Sequence, residues 1–300
     1  MSTPVIEINQ VSRYYGEILA VDNISFDVVQ GETLGLIGHN GAGKSTLFKM
    51  LLGLIPVSAG EIRINNTLLH GNAFRELRRS IGYLPENVVF YDNLTGLETL
   101  QFFASLKGCT TKECMPLLEQ VGLPHAANRL VSGYSKGMRQ RLGFAQALLG
   151  NPRILFLDEP TNGLDPEAIR EFYQVLQKLN QQGVTVIITS HILSEIQQRV
   201  QRLAVMRNGK LHALGTVQEL RESVDLPLII QLRYHHQPEL DEILQDIPAE
   251  HKSINGHHAE IHIQRRWKME LLRRLATQTG IEDVVVHEPT LEDIFLGYSG

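Results

Sequence analysis

Between an apolar run and a helical pattern the chain carries Gly38-His39-Asn40-Gly41-Ala42-Gly43-Lys44-Ser45-Thr46. This spacing of glycines, one lysine and two hydroxyls suits phosphate. The glycines let successive backbone N–H groups turn inward around phosphate oxygens, Lys44 has the reach for β- and γ-phosphates, and the Ser45 hydroxyl is a ligand for Mg²⁺. A helix starting near Lys44 adds the positive end of its dipole to the same place. Thr33-Leu34-Gly35-Leu36-Ile37, just upstream, reads as a buried strand, so the motif sits in the strand, loop and helix context that a chance match lacks.

A second constellation completes the chemistry. Ile154-Leu155-Phe156-Leu157-Asp158-Glu159-Pro160 is an apolar strand tipped by two acids. Asp158 would hold the Mg²⁺ shell and Glu159 would polarise an attacking water. Alone, an apolar strand ending in Asp-Glu is common; coupled to the loop at 38–46 it points to hydrolysis of a nucleoside triphosphate.

The elements that must position these groups form an α/β pattern. The first thirty residues alternate apolar and polar positions, as in Val5-Ile6-Glu7-Ile8 and Ile24-Ser25-Phe26-Asp27-Val28, and predict an antiparallel β layer. A helix over 44–52, a β pair around 61–69 and an apolar strand at 81–84 follow. From Thr95 to about Gly150 the period is helical, broken at Gly108, Gly122-Leu123-Pro124 and Ser132-Gly133, and predicts an inserted helical subdomain. Strands at 153–157 and 184–188 flank a helix from Pro166 to about Gln182 that Asp165 could cap. Buried strands alternating with helices imply a mainly parallel sheet with both faces covered, and nucleotides bind beyond the carboxyl ends of such strands. After residue 221 the order becomes strand (228–234), helix (238–247), strand (253–255), strand (260–264), helix (267–277), strand (284–287). That β-α-β-β-α-β succession predicts a ferredoxin-like module. The chain therefore divides into 1–221 and an accessory, regulatory domain at 222–300.

Composition narrows the partners. With 43% apolar residues in 300, the chain can bury a substantial core. Met1-Ser2-Thr3-Pro4 has no basic start or apolar h-region, and no apolar run approaches the ~18 residues of a membrane span. The net charge of −5 is concentrated late: residues 1–221 carry 21 Lys/Arg against 19 Asp/Glu, and 222–300 carry 7 against 14. No basic stripe of the kind that neutralises nucleic-acid phosphates is present, so no nucleic acid is expected as partner. Cys109 and Cys114 are too few for a disulfide framework and read as two unconnected surface thiols. Seven of the twelve histidines follow residue 221, including His235-His236 and His257-His258, but no His/Cys spacing forms a recognisable metal site.

A phosphate loop and an acidic strand fit many NTPases, and the intervening residues decide among them. Tyr134-Ser135-Lys136-Gly137-Met138-Arg139-Gln140-Arg141 resembles the signature motif of ATP-binding cassette (ABC) proteins. Thr161-Asn162-Gly163-Leu164-Asp165 resembles their D-loop, Thr189-Ser190-His191 their switch histidine, and Tyr15-Gly16 the aromatic that stacks on adenine. A small-molecule kinase has no use for the signature or the switch histidine. The resemblance, spanning residues 1 to about 220, implies the ABC-type P-loop fold with antiparallel β and helical subdomains. It also implies Mg-dependent ATP hydrolysis in a head-to-tail homodimer, each ATP held by one subunit's P-loop and the other's signature. Ser135 and Gly137 would then face γ-phosphate in trans, Asp165 of the D-loop would be among the ATP-binding residues, and His191 would orient the water with Glu159.

Two departures stand out. Lys136 occupies a position commonly glycine; it either adds charge near the partner's phosphates or points to solvent. In Ile81-Gly82-Tyr83-Leu84-Pro85-Glu86, Glu86 replaces the usual glutamine that links Mg²⁺ to the membrane subunit; it can still ligate the metal. Such cassettes pair with a separately encoded polytopic permease and lie peripherally on the cytoplasmic face of the membrane. The ending Glu288-Pro289-Thr290-Leu291-Glu292-Asp293-Ile294-Phe295 resembles that of bacterial exporter cassettes with a small C-terminal domain. His39 in Gly38-His39-Asn40-Gly41, the stretch from Gly82 to Val88 with Phe90-Tyr91, and Gly133 to Arg141 are similar to the ATPase subunits that energise copper-site maturation of nitrous oxide reductase. That similarity implies a periplasmic copper-maturation component reached through the permease. An exporter of drug, lipid or polysaccharide shares every catalytic motif. A soluble cassette acting on ribosomes or DNA usually joins two cassettes or carries long coiled coils, which this chain lacks.

Overall fold

The computed structural model describes residues 3–190, 193–223, 226–236, 240–290 and 293. It parts into two compact units, Met1–Thr216 and Val217–Gly300. The division falls five residues ahead of the boundary expected after Arg221.

In the first unit, β1 (Pro4–Tyr15) and β2 (Ile18–Val29) pair antiparallel through the Gly16 turn. Alternate residues Ile6, Ile8, Ile24, Phe26 and Val28 enter the core, as period-two patterning requires. After β3 (Thr33–Ile37), α1 (Lys44–Leu51), β4 (Ala59–Ile64) and β5 (Thr67–Leu68), this layer closes as β2-β1-β4-β5. Then follow α2 (Gly71–Leu77), β6 (Ile81–Leu84), α3 (Gly96–Lys107), α4 (Cys114–Gln120) and α5 (Lys136–Leu148). Thr95 and Glu98 form a reciprocal capping box that fixes the start of α3, and Gly108, left-handed, ends it. β7 (Ile154–Leu157), α6 (Pro166–Gln181), β8 (Thr185–Ser190), α7 (Leu193–Ile196), β9 (Arg202–Arg207) and β10 (Lys210–Gly215) complete the unit.

The central sheet runs β10-β9-β3-β8-β7-β6, parallel except for the antiparallel β10 edge. β3, β7 and β8 are buried at every residue. β7 is the continuous apolar run expected of a strand covered on both faces, whereas β8 buries the hydroxyls of Thr185, Thr189 and Ser190 among its apolar residues. The β9–β10 hairpin is absent from the sequence expectations, although Asn208-Gly209 between two apolar-alternating runs is the signal that could have found it. Cys114 corrects the expectation of two surface thiols. It is buried, one helical turn from Leu118 on the inward face of α4.

The second unit contains α8 (Val217–Ser223), β11 (Leu228–Tyr234), α9 (Leu240–Ile243), β12 (Ala249–Asn255), β13 (His258–Ile263), α10 (Lys268–Ala276) and β14 (Ile281–His287). Its sheet order, β12-β13-β11-β14, is antiparallel throughout and gives the ferredoxin-like arrangement. The helix expected over 238–247 is shorter: 237–239 lie outside the described residues and α9 ends at Ile243, ahead of left-handed Asp246 and Pro248.

Candidate functional site

The site is built at the carboxyl ends of the parallel strands. β3 delivers the chain into the glycine-rich loop, and Gly43 is the residue that lets the loop close. It caps α1 in a left-handed conformation (φ +99°), and a Cβ there would stand 2.6 Å from the Ala20 carbonyl oxygen. The Ala42 N–H donates to the His39 carbonyl at 3.1 Å, tightening the turn. Asn40, Gly41, Ala42, Gly43, Lys44, Ser45 and Thr46 line one side of a cleft of about 400 Å³. Ile18–Ala20 and the Asn208-Gly209 hairpin tip line the other.

Lys44 is buried, and its ammonium donates to the carbonyls of Gly38 (2.6 Å) and His39 (3.2 Å). Burial lowers its pKa, while the carboxylates of Glu159, Asp158 and Glu86 act on it in the opposite sense. The structure thus brings into one electrostatic neighbourhood three acids and a lysine drawn from three separate motifs. The Tyr83 phenol, on β6 beside them, is pushed up to about 12 by burial and by Asp158 and Glu86.

Asp158 and Glu159 leave β7 in two different ways. The Asp158 N–H continues the ladder by donating to the Leu84 carbonyl at 2.9 Å. Glu159 then turns into the left-handed region at φ +46°, which breaks the strand and redirects the chain into Pro160. The Thr189 hydroxyl, on neighbouring β8, donates to Asp158 Oδ1 at 2.6 Å and accepts from the Glu159 N–H at 2.9 Å. Sequence reasoning gave Thr189 no role, because 30 residues separate it from Glu159. Only the parallel register Leu157↔Ile188 makes them neighbours.

The signature and D-loop form a second cluster joined to the first through Pro160. Ser135 caps α5 by accepting from the Met138 N–H at 3.2 Å, and Gly137 packs so closely that a Cβ would stand 2.9 Å from the Gly163 carbonyl oxygen. Gln140, buried on α5, donates from Nε2 to the Pro160 carbonyl at 3.1 Å. Asp165 caps α6 by accepting from the Ala168 N–H at 2.9 Å. Ser135, Lys136 and Asp165 are exposed.

Several other expected residues are exposed. Tyr15 is exposed, with the Arg13 guanidinium 4.8 Å above its ring centroid. His39 and Glu86 are exposed, and His39 Nδ1 lies 2.7 Å from the Asn40 carbonyl oxygen. His191 lies outside the described residues.

The donors fit a hard divalent cation. The Ser45 hydroxyl and the Asp158 and Glu86 carboxylates offer oxygen donors, and three acids act on the single lysine. Among the described residues no three His, Cys, Asp or Glu side chains converge to hold an ion unaided. Mg²⁺ is usually bound through one or two carboxylates together with substrate phosphates.

Comparison with known proteins agrees with this geometry. Residues 21–162 match the family model described as ABC transporter, and 215–299 match that of the ATP-binding protein DrrA1-3-like, C-terminal domain. The chain is 43% identical to the bacitracin transport ATP-binding protein BcrA of Bacillus licheniformis, over 70% of this chain and 69% of that one. It is 36% identical to the uncharacterized ABC transporter ATP-binding protein YhcH of Bacillus subtilis, over 99% and 96%. Among solved structures, a dimeric ATP-binding cassette in a post-hydrolysis state, bound to ADP and Pi, superposes with a TM-score of 0.64 at 27% identity, covering 71% of this chain and 98% of that one.

Proposed function

The chain belongs to the ABC transporter family as an ATP-binding subunit, an Mg-dependent ATPase coupled to transport, and from that premise we propose how its residues divide the work and which transporter it drives. Subunits of this family dimerise and pair with a membrane permease. Among the described residues no helix is long and apolar enough to cross a membrane, which supports peripheral attachment, here assigned to the cytoplasmic face.

In the proposed mechanism the backbone N–H groups of the 38–46 loop and the Lys44 ammonium hold the β- and γ-phosphates, and Tyr15 stacks on adenine. Ser45, Asp158 and Glu86 would hold Mg²⁺, which when bound would offset phosphate charge. Ser135 and Gly137 of the second copy close over γ-phosphate, with Asp165 at the same seam. Glu159 accepts a proton from water as the water oxygen bonds to γ-phosphorus and the bond to the β–γ bridging oxygen breaks, giving ADP and phosphate. His191 orients that water. The observation that carries this assignment is the Lys44 ammonium held at the loop carbonyls of Gly38 and His39, within the field of the Glu159, Asp158 and Glu86 carboxylates.

The transporter we propose is the one that matures the copper sites of nitrous oxide reductase, with a periplasmic copper-maturation component beyond the permease. The support is the similarity to its ATPase subunit, NosF, at 38–41, 82–91 and 133–141. Each of the last two stretches meets residues just past the end of the other: Val88 methyls lie 2.9 and 3.1 Å from a Cβ built on Gly143 of α5, and Arg139 pairs with Asp92 at 2.7 Å. Copper need not touch this subunit; ATP-driven closure has only to be coupled to membrane helices. A second reading, export of a peptide antibiotic, is favoured by the 43% identity to BcrA. Deletion of the gene in its native host separates them. Nitrous oxide reductase purified without its copper-site absorption, with bacitracin tolerance unchanged, supports copper maturation. A fully copper-loaded reductase with lost tolerance supports the exporter.

A further inference from the structure

We infer that the Thr189 hydroxyl is the positioning group for both acids at the tip of β7, an inference that rests on the roles proposed above for Asp158 and Glu159. Thr189 is 0% exposed, on the central strand between β3 and β7, so its hydroxyl cannot turn to water. A hydroxyl has one proton and two acceptor lone pairs, whereas an ionised carboxylate only accepts and an amide N–H only donates. The proton therefore goes to Asp158 Oδ1 at 2.6 Å and a lone pair receives the Glu159 N–H at 2.9 Å. The two bonds fix each other: rotating the hydroxyl to serve one acid better breaks its bond to the other.

The two acids need this for different reasons. Asp158 needs its carboxylate held, because free rotation of the side chain would carry an oxygen out of the metal shell. Glu159 needs its backbone held, because φ +46° is sparsely populated for a residue with a Cβ, and such conformations persist only where surrounding structure over-determines them. Relaxation of that residue would swing the Glu159 side chain away from the water it is to deprotonate. One buried oxygen thus couples the geometry of the metal ligand to that of the general base.

The test uses the purified full-length chain with ATP and Mg²⁺. Thr189→Val keeps the branched shape and removes both bonds; Thr189→Ala does the same with less bulk, should valine disturb the packing; Thr189→Ser restores the hydroxyl. We expect Val and Ala to lower kcat by about tenfold or more, the scale for a misplaced catalytic group, with ATP affinity by calorimetry within about threefold of the parent. The Mg²⁺ concentration for half-maximal rate should rise by about threefold or more, and Ser should return all three quantities to within about threefold. A variant without the hydroxyl that keeps the parent's kcat and Mg²⁺ requirement overturns the inference. So does a Ser variant as slow as Val, since the methyl and not the hydroxyl would then matter. Glu159→Gln, assayed alongside, separates the two levels: if it hydrolyses ATP normally the proposed role of Glu159 has failed, whereas an inert Glu159→Gln beside a fully active Thr189→Val condemns only Thr189.

Discussion

The aliphatic stem of Lys136 lies across the α-carbon of Gly163: a Cβ built on the glycine would stand 2.7 Å from Lys136 Cδ and 2.9 Å from Cγ. The lysine that departs from the family pattern therefore packs on the D-loop of its own chain. Gly163 also holds φ +82°, so two penalties meet at one position. Gly163→Ala is expected to cost about 1–2 kcal/mol for the left-handed backbone alone. In a unit of this size that corresponds to a Tm lowered by about 2–4 °C for each kcal/mol. Adding Lys136→Ala removes the collision but not the backbone penalty, so the double variant should recover part of the loss in a thermal melt. An unshifted Tm for Gly163→Ala contradicts the contact.

Lys44 is expected to carry the triphosphate. Its ammonium already satisfies two carbonyls and feels the charge of three carboxylates, so its removal leaves those acids and the phosphates without a counter-charge. A charged hydrogen-bonding group of this kind contributes about 1.5–3 kcal/mol, so Lys44→Ala should weaken ATP binding by about one to two orders of magnitude in calorimetry. Equal affinity for ATP and AMP in the variant, with the parent preferring ATP, is the pattern that assigns the loss to the β- and γ-phosphates.

Acid should loosen the second unit through Glu288. Its carboxylate accepts from Lys268 at 2.8 Å and Arg265 at 3.0 Å, with Arg221 3.9 Å away. The Lys268 hydrogen bond, with the positive charge of Arg265 and Lys268, holds its pKa below the ordinary glutamate value of 4.5. A carboxyl group whose pKa is lowered on folding contributes stability in full above its unfolded value, and that contribution disappears as pH falls through the folded one. Trp267, the chain's one tryptophan, packs against this unit's core and reports on it by fluorescence. The unit's Tm should fall below pH 4.5 in the parent and less steeply in Glu288→Gln. Parallel curves contradict the assignment.

The parts of this site that were legible in sequence are those written in consecutive residues. The phosphate loop declares itself because glycine, lysine and hydroxyl must stand at fixed offsets, and β3 ahead of it because a strand covered on both faces is apolar without interruption. The ferredoxin-like connectivity was readable from alternation on β11 and β13, whose inward residues Leu228, Ile230, Leu232, Ala259, Ile261 and Ile263 form one core. Contacts made by sheet register were not legible. Thr189 meets Asp158 because β7 and β8 run parallel in one particular alignment, and Gln140 meets Pro160 because α5 packs beside the same exit. Neither follows from spacing. Lys136 was left between phosphate and solvent by its sequence alone; the D-loop glycine beneath its stem becomes visible only when residues 136 and 163 are brought together.

The most direct test of the composite-site account is Glu159→Gln, which keeps the shape of the side chain and removes its capacity to take a proton. Mixed with ATP and Mg²⁺ and passed through size-exclusion chromatography with light scattering, the variant should elute at twice the monomer mass with ATP retained. Its steady-state hydrolysis should fall by about 100-fold or more, the scale of a lost general base. Hydrolysis at the parent's rate, or a monomer that binds ATP without ever doubling in mass, contradicts the account.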